Sequence, residues 1–265
     1  MQNRRGGGQK FMGYPVEKID KETQLFVYIG PNAIEEERDR YFNRHFKEAD
    51  LNKTLMPLNI REEDLGFFIH NFKNSKIKGG YFAQPYQEIL HGLLNDMSDE
   101  AKRCGLVDTI MIQNGAYIAD VTQGYAVLDL IEERISIEKK RIAVIGATPL
   151  SKSLLWHLRE KNPMLVVLMD EVVEAAAELD RIAAGHIETD IRRIQNREID
   201  LSDIDIVIDT LCSYRPRFSK HPDLIVTLKD QPGSLYSDNG LESVTYDEIF
   251  AKIAQIKTKE WIDHE

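Results

Sequence analysis

The stretch KGGYFAQPYQEILHGLLNDMSDEAKRCGLVDTIMIQNGAYIADVTQG, residues 78–124, alternates strand and helix signals. Tyr81 to Gln84 is short and aromatic, which predicts a strand. Pro85 then suits the first turn of a helix, because its missing N–H would have no helical partner there. Ser98 is a good cap for a second short helix, and Asn114-Gly115 is the strongest short signal for a β-hairpin. The predicted order is therefore strand, helix, short helix, strand, turn and strand.

This order and its spacing resemble the substrate domain of the shikimate dehydrogenase family. That family carries a Gly-Leu-Asn-Val-Thr-Ile-Pro-Tyr-Lys-Glu run at a strand-to-helix turn, a Gly-Ala-Val-Asn-Thr-Ile strand and an Asn-Thr-Asp-Gly turn. The same frame here consists of three runs: Gly79-Gly80-Tyr81-Phe82-Ala83-Gln84-Pro85-Tyr86-Gln87-Glu88, then Gly105-Leu106-Val107-Asp108-Thr109-Ile110, and then Val121-Thr122-Gln123-Gly124.

The resemblance implies an α/β fold of two domains, an N-terminal α/β substrate domain and a Rossmann-like domain with a parallel sheet, with a cleft between them. Short apolar runs alternate with helical patterns in the second half, which also predicts parallel strand pairing. The predicted organisation is a flexible N-terminal tail over 1–22, a substrate-binding domain over 23–124, a linker helix over 125–140, a Rossmann-like nucleotide-binding domain over 141–235 and a C-terminal helical segment over 236–265.

The residues that carry the family's chemistry are replaced in this sequence. By the resemblance, the catalytic Lys falls on Gln87, its partner Asp on Gln123 and the strand Asn on Asp108. Glutamine cannot exchange a proton near neutral pH, whereas general acid–base catalysis needs a group that can. We therefore expect Gln87 and Gln123 to hold a polar group, with Asp108 as the one titratable candidate. The alternative for Asp108 is a residue that merely ends a hydrogen-bond ladder.

The positions that the resemblance assigns to substrate binding have also changed. The Asn and Thr that hold substrate hydroxyls fall on Tyr81 and Ala83, and a Ser pair that holds the substrate carboxylate falls on Glu36 and Arg38. The predicted substrate-binding residues are Tyr81, Gln84 and Glu36, and a shikimate-like carboxylate is not expected beside Glu36. The alternative is that Glu36 belongs to the charged first turn of a solvated helix.

A degenerate nucleotide turn follows the strand at 142–145. The family's usual form is Gly-Ala-Gly-Gly-Ala, and here the sequence is Gly146-Ala147-Thr148-Pro149. Asp170, about 24 residues after Gly146, has the spacing of a ribose-binding acid, although capping the next helix suits it equally well. The predicted cofactor-binding residues are Gly146, Thr148, Ser151, Asp170 and Thr210. Because Asp170-Glu171 is negative, NAD is expected and NADP is disfavoured; S-adenosylmethionine is a weaker alternative.

Composition limits the classes of partner. The chain has 265 residues and a net charge of −10, which disfavours nucleic acid and anionic membranes as partners. No apolar run approaches the length of a membrane span. Two cysteines make no disulfide framework, and the seven histidines show no metal-ligand spacing. We expect a cytoplasmic protein that binds a small polar molecule in its interdomain cleft and no metal, with a homodimer left open.

Three functions fit these features. The first is a divergent, NAD-linked oxidoreductase that acts on a small polar molecule other than shikimate. The second is a non-catalytic binding or regulatory protein, a pseudoenzyme that keeps the two-domain cleft. The third and weakest is a transferase that uses S-adenosylmethionine. Fold resemblance alone does not decide among them.

Overall fold

The computed structural model describes residues 19–227, 236 and 243–263. The first half of the chain forms a sheet of five strands: β1 Gln24–Gly30, β2 Lys53–Asn59, β3 Ile77–Phe82, β4 Thr109–Gln113 and β5 Ala116–Asp120. Their order is β2-β1-β3-β4-β5. Strands β2, β1 and β3 are parallel to one another, β4 is antiparallel to β3, and β5 is antiparallel to β4. The helices of this half are α1 Ala33–Glu36, α2 Asp39–Glu48, α3 Glu62–Phe72, α4 Gln84–Leu93 and α5 Asp99–Cys104.

The second half forms a parallel sheet in the order β13-β12-β10-β6-β7-β8. The strands of this half are β6 Arg141–Ile145, β7 Leu165–Asp170, β8 Thr189–Arg193, β9 Glu198–Asp200, β10 Ile206–Asp209, β11 Arg215–Arg217, β12 Leu224–Thr227 and β13 Ser243–Val244. Strands β9 and β11 form a separate two-stranded sheet. The helices are α6 Gln123–Glu132, α7 Pro149–Leu158, α8 Val173–Ala183 and α9 Tyr246–Asp263. Among the described residues, no helix is both long enough and apolar enough to cross a bilayer.

The mixed α/β class with a Rossmann-like parallel sheet is confirmed, and several element boundaries differ from those predicted. Gln84 opens α4 rather than ending a strand. The predicted linker helix begins earlier, at Gln123, and ends at Glu132. Strand β8 was not predicted, because its sequence TDIRR lacks an apolar run. The predicted tail falls mostly on residues 1–18, which lie outside the described residues, as do residues 228–235 of the predicted nucleotide-binding domain.

Helix α9 returns to the first sheet and completes its core. The Trp261 ring stacks on Phe26 with centroids 4.3 Å apart and also stacks on Phe42 at 5.5 Å. The buried Lys53 ammonium donates to the Trp261 carbonyl at 2.8 Å. One hydrophobic core therefore runs from β1 through α6, α7 and α9 to the second sheet. This packing places one face of α9 over the carboxyl ends of β1 and β3.

Candidate functional site

A cavity of about 80 Å³ opens where the two halves meet. It lies beyond the carboxyl ends of β1 and β3, at the first turns of α4, α6 and α7, and is covered by α9. Cavities of this kind, with a few polar groups on apolar walls, are the usual place for a small ligand. The lining residues are Tyr28, Glu36, Tyr81, Ala83, Gln84, Pro85, Gln87, Gln123, Leu150, Tyr246, Ile249, Phe250 and Ile253.

Two glutamines form the polar floor of the cavity. Gln123 Nε2 donates to Gln87 Oε1 at 2.8 Å, and Gln87 Nε2 donates to the Phe82 carbonyl at 3.1 Å. The two side chains are 1% and 5% exposed, Gln87 being the more buried. The hydrogen bond between the two side-chain amides fixes the pair in place without a charged group. Such a floor hydrogen-bonds a hydroxyl or carbonyl but does not move a proton.

The opposite wall carries the acid Glu36 and two tyrosines. The Tyr28 hydroxyl donates to Glu36 Oε2. Burial raises the pKa of Tyr28, and the adjacent Glu36 raises it further. Burial also raises the pKa of Tyr81 well above its usual value. Neither phenol ionises near neutral pH, so neither serves as a base there, and Glu36 is the carboxylate of the lining.

Asp108, predicted as the titratable catalytic residue, does not line the cavity. Its carboxylate is fully buried beneath the floor and accepts from the Thr122 amide at 2.8 Å, the Gln123 amide at 3.0 Å and the Thr109 hydroxyl at 2.7 Å. These bonds fix the start of α6 and therefore the position of Gln123. Asp108 thus positions the floor, which corrects the expectation that it would face the ligand.

The buried carboxyl of Asp108 predicts a pH dependence of stability. Burial raises its pKa from 3.8 to about 6, against the opposing effects of Lys257 and of its hydrogen bonds. The folded state therefore binds more protons than the unfolded state between these two values, so stability falls as pH rises through this window. A shift of about two units corresponds to about 3 kcal/mol.

Urea denaturation between about pH 4 and pH 7 measures this effect. We expect the decline in the free energy of unfolding to be largely absent in Asp108→Asn. Asp99, whose side chain is 90% exposed, provides the control, and Asp99→Asn should retain the decline. Equal slopes in the wild type and Asp108→Asn would contradict the assignment.

The nucleotide turn is built from residues that bond to one another. Gly146 has φ +93°, and a Cβ there would lie 2.7 Å from Thr210 Oγ1, so glycine is required. Thr148 caps α7 by accepting from the Ser151 amide, while the Ser151 hydroxyl donates to the Gly146 carbonyl at 2.6 Å. The Thr210 hydroxyl donates to the Ile145 carbonyl at 2.8 Å. Ser151 and Thr210 therefore shape the turn, and their predicted contact with a cofactor stays a prediction.

Asp170 lies beside this turn with an arginine next to it. Its two carboxylate oxygens accept from the amides of Ala147 and Val172, both at 2.9 Å. Strand β8 brings Arg193 into register with Asp170, and the Arg193 side chain is exposed. Met169, Arg193 and residues of β9 and β11 line a second, open pocket at this edge. The sequence-based expectation considered only Asp170-Glu171 and missed this arginine, because β8 lies more than 20 residues later.

Comparison with known proteins identifies the first half directly. Residues 39–110 match the family model described as the shikimate dehydrogenase substrate binding domain. Residues 39–110 thus carry this family's substrate binding domain, and the chain is similar to shikimate dehydrogenases. A relative named shikimate dehydrogenase (NADP(+)) from Methanococcus maripaludis is 26% identical over 198 residues, which cover 72% of this chain and 69% of the relative. The enzyme of the same name from Aquifex aeolicus is 28% identical over 162 residues, 61% of this chain and 60% of the relative.

Solved structures share the fold over nearly the whole chain. Ligand-free 5-ketofructose reductase from Gluconobacter superposes with a TM-score of 0.82 at 13% identity and covers 92% of this chain and 94% of its own. Shikimate dehydrogenase from Aquifex aeolicus superposes with a TM-score of 0.77 at 20% identity, with the same coverage. At these identities the likeness concerns the fold, which is that of shikimate dehydrogenase-like oxidoreductases.

Two corrections concern the cofactor. The curated relatives carry NADP(+) in their names, so the expectation that NADP is disfavoured does not stand. In the structure, the Asp170 carboxylate accepts hydrogen bonds from two amides, and β8 places Arg193 in register with Asp170. S-adenosylmethionine finds no support among the relatives.

All three residues predicted to bind substrate line the cavity. Tyr81, Gln84 and Glu36 line it together with Gln87 and Gln123. Sequence reasoning missed the contribution of the C-terminal helix, although its apolar residues recur at helical spacing. The lining residues not anticipated for the site are Tyr28, Leu150, Tyr246, Ile249, Phe250 and Ile253. Within the described residues there is no group of three or more His, Cys, Asp or Glu side chains arranged to hold a metal ion.

Proposed function

We propose that this protein is a divergent oxidoreductase of the shikimate dehydrogenase family that uses a nicotinamide dinucleotide and acts on a small polar molecule other than shikimate. The supporting observation is the composition of the cavity. Its lining combines the substrate sheet with the first turn of α7, through Leu150, so a ligand there lies beside the nucleotide turn. The names of the curated relatives support the reaction class and the cofactor class.

Size and charge argue against shikimate as the substrate. An apolar cavity of about 150 Å³ holds benzene, whereas this cavity measures about 80 Å³. A ring acid with several hydroxyls would therefore extend beyond this cavity. Glu36 would also repel a carboxylate at short range. In addition, the Gln87–Gln123 pair occupies the place where the family, by resemblance, has its charged Lys and Asp.

The residues at the second sheet fit a nicotinamide dinucleotide by their chemistry. In the first turn of α7, Pro149 supplies no N–H and the Ser151 amide is bonded to the Thr148 hydroxyl, so the Leu150 amide is the donor there that would attract an anion. Asp170 has the spacing of a ribose-binding acid, and Arg193 beside it suits a 2′-phosphate. The dinucleotide would supply or accept the hydride. The chain's own residues would hold the substrate hydroxyl or carbonyl at Gln87 and Gln123 and exclude water with α9.

Calorimetric titration with NADP and NAD tests this proposal. We expect binding of NADP to exceed that of NAD, and Arg193→Ala to weaken NADP binding on the order of tenfold while leaving NAD binding unchanged, since a hydrogen bond to a charged group contributes about 1.5–3 kcal/mol. Arg44→Ala, an exposed arginine on α2, is the charge-matched control. Tighter binding of NAD with no effect of Arg193→Ala would restore the original preference. Binding of neither dinucleotide would overturn the oxidoreductase proposal.

The second candidate function is a binding protein without hydride transfer, and the Gln87–Gln123 pair favours it. A neutral, mutually bonded amide pair retains a polar ligand without providing a proton donor. The two functions differ in one measurement. A dehydrogenase changes the nicotinamide absorbance when its substrate and cofactor are combined, whereas a binding protein shows ligand-induced thermal stabilisation without that change.

A further inference from the structure

We infer that the cavity takes a small cationic molecule, an amine that also carries a hydroxyl or carbonyl group, with its ammonium facing Glu36. This ligand class rests on the proposed use of the cavity as the substrate site. It follows from the charge, the aromatic walls, the polar floor and the size of the cavity.

The carboxylate of Glu36 forms no ion pair within the described residues. It lines the cavity, is half-buried and accepts a hydrogen bond from the Tyr28 hydroxyl. In the part of the chain that the structure describes, no lysine, arginine or histidine forms an ion pair with it. A half-buried carboxylate without a counter-ion is stabilised by any cation that enters the cavity and destabilised by any anion.

Arg38, the basic residue nearest to Glu36 in the sequence, is paired with Asp247. Arg38 donates to Asp247 at 2.9 Å, and Arg40 lies 3.7 Å from the same carboxylate. The Arg38 guanidinium also lies over the rings of Tyr246 and Phe250, 4.5 and 4.6 Å from their centroids. These contacts hold Arg38 against Asp247 and the two rings, so it forms no ion pair with Glu36, while its positive charge also reaches Tyr28 and Tyr81 of the cavity lining.

Aromatic rings form the rest of this wall. Tyr28 and Tyr81 have centroids 6.0 Å apart, and Tyr81 lies 5.7 Å from Phe250. Aromatic faces attract cations, and cages of such rings are a recurring solution for binding ammonium groups. Because Arg38 lies over Tyr246 and Phe250, we assign the contact with the cation chiefly to Tyr28 and Tyr81, which also line the cavity. The Glu36 carboxylate and the tyrosine rings thus both favour a positively charged ligand.

The polar floor and the volume of the cavity define the rest of the ligand. Gln87 and Gln123 offer neutral amide donors and acceptors, which suit a hydroxyl or a carbonyl. A cavity of about 80 Å³ is about half of the volume that accommodates benzene. The fitting class is therefore a short-chain amino alcohol or the corresponding amino carbonyl compound.

Three two-carbon probes of different charge test the inference: ethanolamine, ethylene glycol and glycolate. Binding to the full-length protein is measured by calorimetry and by ligand-observed NMR. We expect ethanolamine to bind more tightly than ethylene glycol, and glycolate to bind least. In Glu36→Gln, which keeps the side-chain volume and an acceptor for Tyr28, the affinity for ethanolamine should fall about tenfold.

The control separates the local carboxylate from the overall charge. Glu35→Gln changes the net charge of −10 by the same amount, but Glu35 is exposed and bonded to Asn59 at 2.9 Å outside the cavity. It should leave ethanolamine binding unchanged. Glu36→Asp retains the charge and should keep the preference for ethanolamine over glycolate. It therefore keeps the inference testable if Glu36→Gln fails to fold.

Several outcomes would overturn the inference. Glycolate binding as tightly as ethanolamine, or ethanolamine binding equally to the wild type and Glu36→Gln, would show that Glu36 does not select charge. Ethylene glycol binding as well as ethanolamine would leave the cavity as a ligand site and make the charge class wrong. Binding of none of the probes would also make the ligand class wrong, while the dinucleotide titration would still decide the oxidoreductase proposal.

Discussion

Gly124→Ala is expected to lower the free energy of unfolding by about 3 kcal/mol, near the upper end of the usual cost of overpacking. Gly124 is the second residue of α6 and packs directly on the backbone of α7, where a Cβ would lie 2.5 Å from the Leu154 amide nitrogen. Its own amide donates to the Ser153 hydroxyl at 3.0 Å, and that hydroxyl donates to Glu100 at 2.6 Å. The added methyl group must push the two helices apart and break this chain of bonds.

Gly66→Ala is the matched control for this prediction. Gly66 lies inside α3, is exposed and has no neighbouring atom within 4 Å of a Cβ position. Alanine there should raise the free energy of unfolding by up to about 1 kcal/mol, because it favours the helix. Urea denaturation followed by circular dichroism measures both variants. Similar small effects at both positions would show that α6 and α7 are not packed as described.

Trp261→Ala should reduce the free energy of unfolding by about 3–5 kcal/mol, the usual cost of deleting a large buried aromatic side chain. Trp261 is 1% exposed and packs against Phe26, Phe42 and Phe46. Its loss opens a cavity under β1 and weakens the docking of α9. Since α9 also covers the ligand cavity, ligand-induced stabilisation should fall in the same variant.

Phe67→Ala provides the comparison for Trp261→Ala. Phe67 is 77% exposed on α3, so truncating it removes little buried area and should change stability by less than about 0.5 kcal/mol. Both variants are compared by circular dichroism, because replacing Trp261 also removes one of the two tryptophan fluorophores. A loss below about 1 kcal/mol in Trp261→Ala would show that α9 does not complete the core.

The elements within residues 78–124 could be predicted because their signals are local. Ser98 accepts from the Ala101 amide at 3.1 Å and caps α5 as expected. Asn114 and Gly115 have φ values of +52° and +77°, the conformation that a tight β-hairpin requires. Pro85 lies in the first turn of α4. Each of these features depends on residues within a few positions of one another.

The features that the sequence did not reveal depend on distant residues. Arg193 lies beside Asp170 only because β8 pairs with the edge of β7. The sequence TDIRR contains no signal that predicts this pairing. Tyr246 and Phe250 reach the cavity because α9 crosses back over the first sheet. Asp108 directly precedes β4, but the direction of its side chain depends on amides 14 and 15 positions later. Spacing in the sequence identifies such residues as candidates, but it does not show which of them contact a ligand.

The return of α9 has a consequence for protein synthesis. Lys53 bonds to the carbonyl of Trp261, 208 positions later in the chain, and the rings of Phe26 and Phe42 are covered by the same tryptophan. On a ribosome that adds about 5–20 residues per second, Lys53 and the aromatic residues before it emerge roughly ten to forty seconds before the helix that covers them. During that interval the nascent chain presents Phe26, Phe42 and Phe46 to solvent, which makes it a substrate for chaperones that bind exposed aromatic side chains.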